Sequence, residues 1–196
     1  MVAELGHFCL WLALALAVLQ SSLPVYGYLN NKPALMALAR PAALVQWLCL
    51  SVGLVALGWA FYSHDFSIAY VAGHSNSLLP VGYRISAIWG GHEGSLLLWV
   101  WMLALWGVLV AWLRGRVAHD VHALVLAVMG MVAIGFLLFM LLTSNPFDRN
   151  LPWFPIDGGD LNPLLQDPGL IIHPPMLYMG YVRFSVAFAF AIAGLI

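Results

Sequence analysis

Histidine is the side chain that can bind a metal or carry a proton near neutral pH, and this sequence has seven: His7, His64, His74, His92, His119, His122 and His173. Two of them stand in distinctive words. WGGHEGS, Trp89 to Ser95, surrounds His92 and Glu93 with three glycines that allow tight turns or close approach to a ligand. A zincin HExxH would need histidine at position 96, where Leu96 stands, so that segment cannot be a metalloprotease helix. Glu93 is read either as a charge favoured by a helix N-terminus or as a functional group. IIHPP, Ile171 to Pro175, sets His173 before two prolines that are expected to open a helix, because the first turn has no use for their missing N–H groups. An imidazole so fixed can bind iron.

Aromatic residues follow the first word. Trp99 and Trp106 are seven apart and share a helical face, which can stack on a porphyrin or pack against another helix. Walker A, GxSxG and dinucleotide-binding words are absent, so nucleotide use and hydrolase chemistry have no support. Cys9 and Cys49 form no CxxC and suggest neither a disulfide scaffold nor a thiol-redox centre.

The elements that must position these groups are apolar. Hydrophobic residues make up 63% of the chain, charged residues 8%, and mean hydropathy is +0.94, more apolar surface than a soluble domain could cover. A net charge of -1 offers no basic patch for nucleic acid or for an anionic lipid surface. Windows of about 20 residues predict five transmembrane helices: 8–28, 42–61, 96–113, 123–142 and 176–196. Gln20, Ser21, Ser22, Gln46 and Ser51 give the first two polar seams. The expected fold is an all-α, polytopic integral membrane protein. The first run is a retained helix, since Glu4 precedes it in place of a basic region and no A-x-A-like site follows.

Lys32, Arg40, Arg114 and Arg116 fall in the two short loops, whereas the long loops, 63–94 and 143–175, hold Arg84 and Arg149 among six acids. The positive-inside rule puts the short loops in the cytoplasm and the N-terminus outside. His7, His64, His74, His92 and His173 then gather near the outer face, either as amphipathic interface residues or as part of a metal or haem site. The second long loop carries seven of the eleven prolines and four of the eight acids, which suggests a surface structure with a role of its own.

YRISAIWGGHEGSLLLW, Tyr83 to Trp99, and LNPLLQDPGLIIHPPMLYMGYV, Leu161 to Val182, with the opening MVAELG and the HSNS at His74 to Ser77, resemble CcmF, the membrane haem-lyase family of bacterial cytochrome c maturation. The related NrfE group shares these words. The resemblance covers the whole chain. It implies a multi-pass protein of the bacterial inner membrane that takes haem from the haem chaperone CcmE and, with CcmH presenting apocytochrome c, joins haem vinyls to the thiols of CxxCH. It also implies a b-type haem within the membrane part, with quinol as one source of electrons, and matches His173 to one axial ligand. Trp89, His92, Glu93 and Trp99 are the supporting candidates around it. A bis-histidine pair of His173 with His92 is the rival arrangement within this chain.

Two departures accompany the resemblance. Family members are much longer, and their WWD segment, its flanking histidines and the second b-haem ligand lie beyond this sequence, so the 196 residues are expected to be an N-terminal portion without lyase activity alone; a split gene, a truncation and a partial sequence all fit. Where the family reads GYVGF this chain reads GYVRF, placing Arg183 roughly 10 Å into the expected fifth helix. An arginine there costs about 2.5–3.5 kcal/mol on insertion scales unless it snorkels or pairs. The alternative function is a non-catalytic membrane scaffold that docks maturation partners. A transporter ranks last, since spans three and four hold no charge.

Overall fold

A hydrocarbon solvent leaves a backbone little choice, because every N–H and C=O must find a partner within the segment. The computed structural model, which describes residues 1–113, 115 and 117–196, accordingly contains eight helices: α1 (Val2–Leu29), α2 (Pro33–Met36), α3 (Ala39–Tyr62), α4 (Ala69–His74), α5 (Val81–Ser86), α6 (His92–Trp112), α7 (His119–Thr143) and α8 (Pro168–Leu195). Five are long and apolar enough to cross a membrane, with α2 and α3 counted as one. Among the described residues no strand forms, only an isolated bridge between Ile68 and Arg149. The chain is an all-α, multi-pass membrane protein. Arg114 and Arg116, on which the expected orientation of the second short loop rests, lie outside the described residues.

α1 and α3 pack together most extensively, α7 lies against α1, and α6 against α3 and α7, with α8 on α6 and α7. Small residues bring the backbones close, as expected where lipid tails compete with apolar side chains. Ala3, Gly6, Leu10, Ala13, Ala17, Gln20 and Pro24 recur every third or fourth position along the buried face of α1. A Cβ on Gly130 of α7 would stand 3.1 Å from the Ala17 carbonyl oxygen. Of the polar seams, Gln20, Ser21 and Gln46 are buried, and Gln20 and Ser51 bond to neighbouring helices. Gln20 Nε2 donates to Leu126 O at 2.8 Å, and Trp101 Nε1 donates to Ser51 Oγ at 2.8 Å while Ser51 donates to Trp47 O.

Every spanning helix begins before its apolar run, because hydropathy marks the lipid core and not the turn that continues into the interface. α1 starts six residues earlier than expected, at Val2, where Glu4 pairs with the Met1 amino group and with Arg149. α6 starts at His92, which moves His92 and Glu93 out of the loop and into the first helical turn. The largest correction is at α8. The helix-start signal is DPG, not HPP: Asp167 accepts from Gly169 N at 2.7 Å as N-cap and Pro168 occupies the first position. Pro174 and Pro175 are therefore inside the helix, and Arg183 sits 15 residues beyond its start, about 22 Å at 1.5 Å per residue.

The long loops fold on each other. Ala69 N donates to Asp148 O at 2.8 Å, Asn150 N to Ser67 O at 2.9 Å and Gly159 N to Ala72 O at 2.7 Å, so a two-loop cap sits over one end of the bundle. His64 is spent on entering it. It takes a left-handed conformation, φ 57°, just past α3, and Asp65 N donates back to Ala60 O at 3.0 Å.

Two glycines of α7 separate close packing from mere flexibility. Gly130→Leu should destabilise the bundle by about 1–3 kcal/mol through overpacking against α1, whereas Gly135→Leu, where a Cβ meets nothing within 4 Å, should be tolerated; melting of both variants in detergent checks this.

Candidate functional site

Glycines give WGGHEGS its shape by letting neighbours lie where side chains would be. A Cβ on Gly94 would collide with the Ile88 carbonyl oxygen, and one on Gly91 would stand 2.6 Å from His74 Nε2. The turn Ala87–Trp89 therefore folds tightly onto the first turn of α6, and the His74 imidazole lies against Gly91. Tyr70, buried in α4, holds the arrangement from below. Its hydroxyl accepts from Gly91 N at 2.9 Å and faces the carbonyl oxygens of Ile88 at 3.0 Å and Ala87 at 3.2 Å. Burial pushes that hydroxyl above the ordinary tyrosine range, so it remains a donor.

The two motif words meet through one bond. Pro175 has no N–H, which leaves the Ile171 carbonyl without its i+4 donor inside α8. Trp89 Nε1 donates to that oxygen at 3.1 Å. Further along, Trp99 packs between Phe136, at 6.1 Å between ring centroids, and Tyr178, at 5.2 Å. Trp89 and Trp99 thus hold one face of α8, the face of Ile171, Tyr178 and Val182. The opposite face is open and carries His173, Leu177, Gly180, Tyr181 and Phe184.

The five histidines expected at the outer face do not come together. Among the described residues no group of three or more His, Cys, Asp or Glu could hold a metal ion. His7 Nε2 accepts from Trp11 Nε1 at 2.6 Å and its Nδ1 lies 3.1 Å from Asn145 Nδ2. His74 Nδ1 donates to Tyr70 O at 3.0 Å. His92 Nε2 is 2.7 Å from Ser144 Oγ and its Nδ1 is 3.6 Å from Glu93 Oε2. His64 has its Nδ1 buried without a partner. His173 is exposed, and among the described residues no hydrogen bond reaches it.

An axial haem ligand needs one free imidazole nitrogen and apolar surface for the porphyrin. His173 fits, standing one turn above a mostly apolar hollow of about 380 Å³ lined by Met176, Leu177, Gly180, Tyr181, Arg183 and Phe184. His92 keeps one such nitrogen, since Ser144 takes its Nε2 while its Nδ1, 3.6 Å from Glu93 Oε2, makes no hydrogen bond among the described residues. Trp89 positions the His173 turn, while Trp99, half-buried, packs between Phe136 and Tyr178. Arg183 has no ion-pair partner among the described residues and lies over the Phe184 ring, 5.7 Å from its centroid.

Several positioning groups carried no local signal. Tyr70 and Ser144 sit in unpatterned stretches. The pairings of Asp157 with Ser77 and of Glu4 with Arg149 join residues 80 and 145 apart.

Tyr70→Phe should leave the Gly91 N–H without an acceptor, cost about 1–3 kcal/mol and raise hydrogen exchange over residues 87–94. The cap also has a pH limit. Asp157 accepts from Ser77 N at 2.9 Å, Ser77 Oγ at 2.6 Å and Gly158 N at 2.8 Å, which holds its carboxyl below the usual range. A depressed folded pKa means the clamp is complete above the ordinary aspartate value, about 4, and is lost as pH falls through the lower folded value. Protection of the Ser77 amide should fall on acidification below about pH 4, and Asp157→Asn should remove that dependence.

Comparison with known proteins agrees with this layout. Residues 89–196, which hold both motif words, match the family described as Cytochrome C assembly protein. Over its whole length the chain is 59% identical to the cytochrome c-type biogenesis protein CcmF of Pseudomonas aeruginosa and 54% identical to that of Escherichia coli, covering 30% of each. It is 42% identical to the cytochrome c-type biogenesis protein NrfE of Haemophilus influenzae, covering 31% of that protein. A solved structure titled Cytochrome c Heme Lyase CcmF superposes with a TM-score of 0.83 at 29% identity, over 98% of this chain and 30% of that one. The chain spans about three tenths of the length of the curated relatives it matches. With the family matched over more than half of its residues, the chain belongs to the cytochrome c assembly protein family.

Proposed function

We propose that this chain is part of a membrane haem lyase of cytochrome c maturation and that His173 is an axial ligand of a haem at the loop-side end of α8. The observation that carries the proposal is the uncommitted, exposed His173 ring, set above an apolar hollow and braced from behind by the bond from Trp89 to Ile171 O. On this reading the protein lies in a bacterial inner membrane with its N-terminus and two-loop cap in the periplasm. Its partners are the haem chaperone CcmE, CcmH and apocytochrome c, with quinol as one source of electrons.

A b-type haem held there would supply one-electron transfer. The chain's own residues do the rest. His173 would present a ring nitrogen, Trp89 fixes the turn that carries it, and Met176, Leu177, Tyr181 and Phe184 would give the porphyrin an apolar seat. For the second ligand we favour a group outside this chain, with His92, whose Nε2 is held by Ser144, as the rival within it. A second reading is favoured by the exposure of His173 at the membrane boundary, where the haem it holds can be in passage from chaperone to apocytochrome instead of resident.

His173→Ala in the full-length protein separates these. As a resident-haem ligand, its loss should remove the low-spin six-coordinate signal in optical and EPR spectra, with exogenous imidazole restoring it. As a ligand of haem in passage, its loss should leave the resident signal and abolish capture of haem from the chaperone. If both signal and capture survive at full stoichiometry, His173 is not a ligand.

A further inference from the structure

The end of the bundle away from the two-loop cap has a site that the haem chemistry does not use. A cavity of about 210 Å³ lies between the start of α3 and the start of α7, walled by Met36, Arg40, Pro41, His119, His122 and Ala123. Arg40 is half-buried, and among the described residues neither a hydrogen bond nor an ion pair reaches its guanidinium. Its Nε is shut off from solvent without a partner. A guanidinium is always charged, and its fork of donors fits the oxygens of a phosphate. Leaving such a group unmatched in a half-buried position is costly, so an anion that filled the cavity would satisfy it.

The surroundings agree. No side chain caps the N-terminus of α7, a 25-residue helix, so its first N–H groups and positive dipole end border the same space. His119 opens that helix with its side chain about half exposed. His122, 9% exposed, donates from Nε2 to Val110 O at 3.0 Å, which fixes it as a wall. The opposing charge is Asp120, whose Oδ1 is 3.8 Å from His119 Nδ1 and whose side chain points largely to solvent, 60% exposed. Arg40 and His119 lie in the first turns of two spanning helices, the depth at which lipid phosphates sit. A net charge of -1 argues against a charged surface. It does not argue against one headgroup held in one cavity.

We infer that the cavity bounded by Arg40, His119 and His122 is a phosphate-binding site, filled by the phosphodiester of an anionic lipid or by a soluble phosphate. The site recognises the anion through the Arg40 fork and the N-terminal N–H groups of α7, and the ligand ties α3 to α7 at the short-loop end.

The test is the melting temperature of the full chain in a non-ionic detergent, titrated with phosphatidylglycerol, with phosphatidylcholine or with inorganic phosphate. Phosphatidylglycerol should raise it saturably, with about one lipid per chain by native mass spectrometry, and phosphatidylcholine should not. Arg40→Gln should raise the half-saturating concentration about tenfold or more, the loss of a charge-assisted hydrogen bond. Lys32→Gln, which removes an exposed cation outside the cavity, should leave it unchanged. If Arg40→Gln does not fold, His119→Gln must weaken the response instead. A shift produced by inorganic phosphate and lost in Arg40→Gln assigns a soluble ligand, and a shift confined to phosphatidylglycerol assigns a lipid headgroup. Equal stabilisation by both lipids, or a full response in Arg40→Gln and His119→Gln, would overturn the site.

Discussion

Pro175 offers no N–H to the carbonyl of Ile171, and the indole of Trp89 supplies the missing donor at 3.1 Å. Much of the cap end of the molecule follows from that exchange. A proline inside a spanning helix is tolerable only when the carbonyl it frees is satisfied elsewhere. Here the donor belongs to the turn that Tyr70 and the close-packed glycines already hold. The bond therefore registers α8 against the cap, fixes which face of α8 turns inward, and leaves His173 on the other face.

The cap is polar and its bonds are long-range, whereas the bundle beneath is apolar and close-packed. Glu4 and Arg149 join the chain's beginning to the second long loop, and Ser77 and Asp157 join the two loops. Within the bundle, Gln20 Nε2 and Ser51 Oγ find partners on neighbouring helices, which in lipid lowers the cost of burying them, whereas among the described residues Gln20 Oε1 and Gln46 Nε2 are buried without one. These two regimes meet at the interface around His92 and Ser144, where helix starts and ends face each other. A rigid cap over a packed bundle keeps one imidazole at a defined height without enclosing it.

Five spanning helices were legible in the sequence because an uncharged apolar run of about twenty residues matches the thickness of a bilayer core. Their ends were not, since Glu4, His92 and His119 continue helices into the interface and register as polar in any hydropathy window. HPP drew attention from DPG for a related reason. Both place prolines where a helix can start, but only Asp167 has the short acceptor that an N-cap requires. The candidate site was half legible. The words holding Trp89, His92 and His173 stood out, yet the assignment of His92 to Ser144 and the hub at Tyr70 depend on contacts 52 and about 20 residues apart. Gathering five histidines at one face suggested a cluster, and the separate partners of His7, His74 and His92 dissolve it.

The position of iron bears most directly on whether the cap end of α8 is a haem site. Anomalous diffraction at the iron edge, from crystals of the full-length haem-loaded protein, would locate it. A haem held by this end of α8 predicts iron within bonding distance of a His173 ring nitrogen, with the porphyrin over Leu177 and Phe184. Iron bound elsewhere in every crystal, with the His173 ring left unligated, would contradict it.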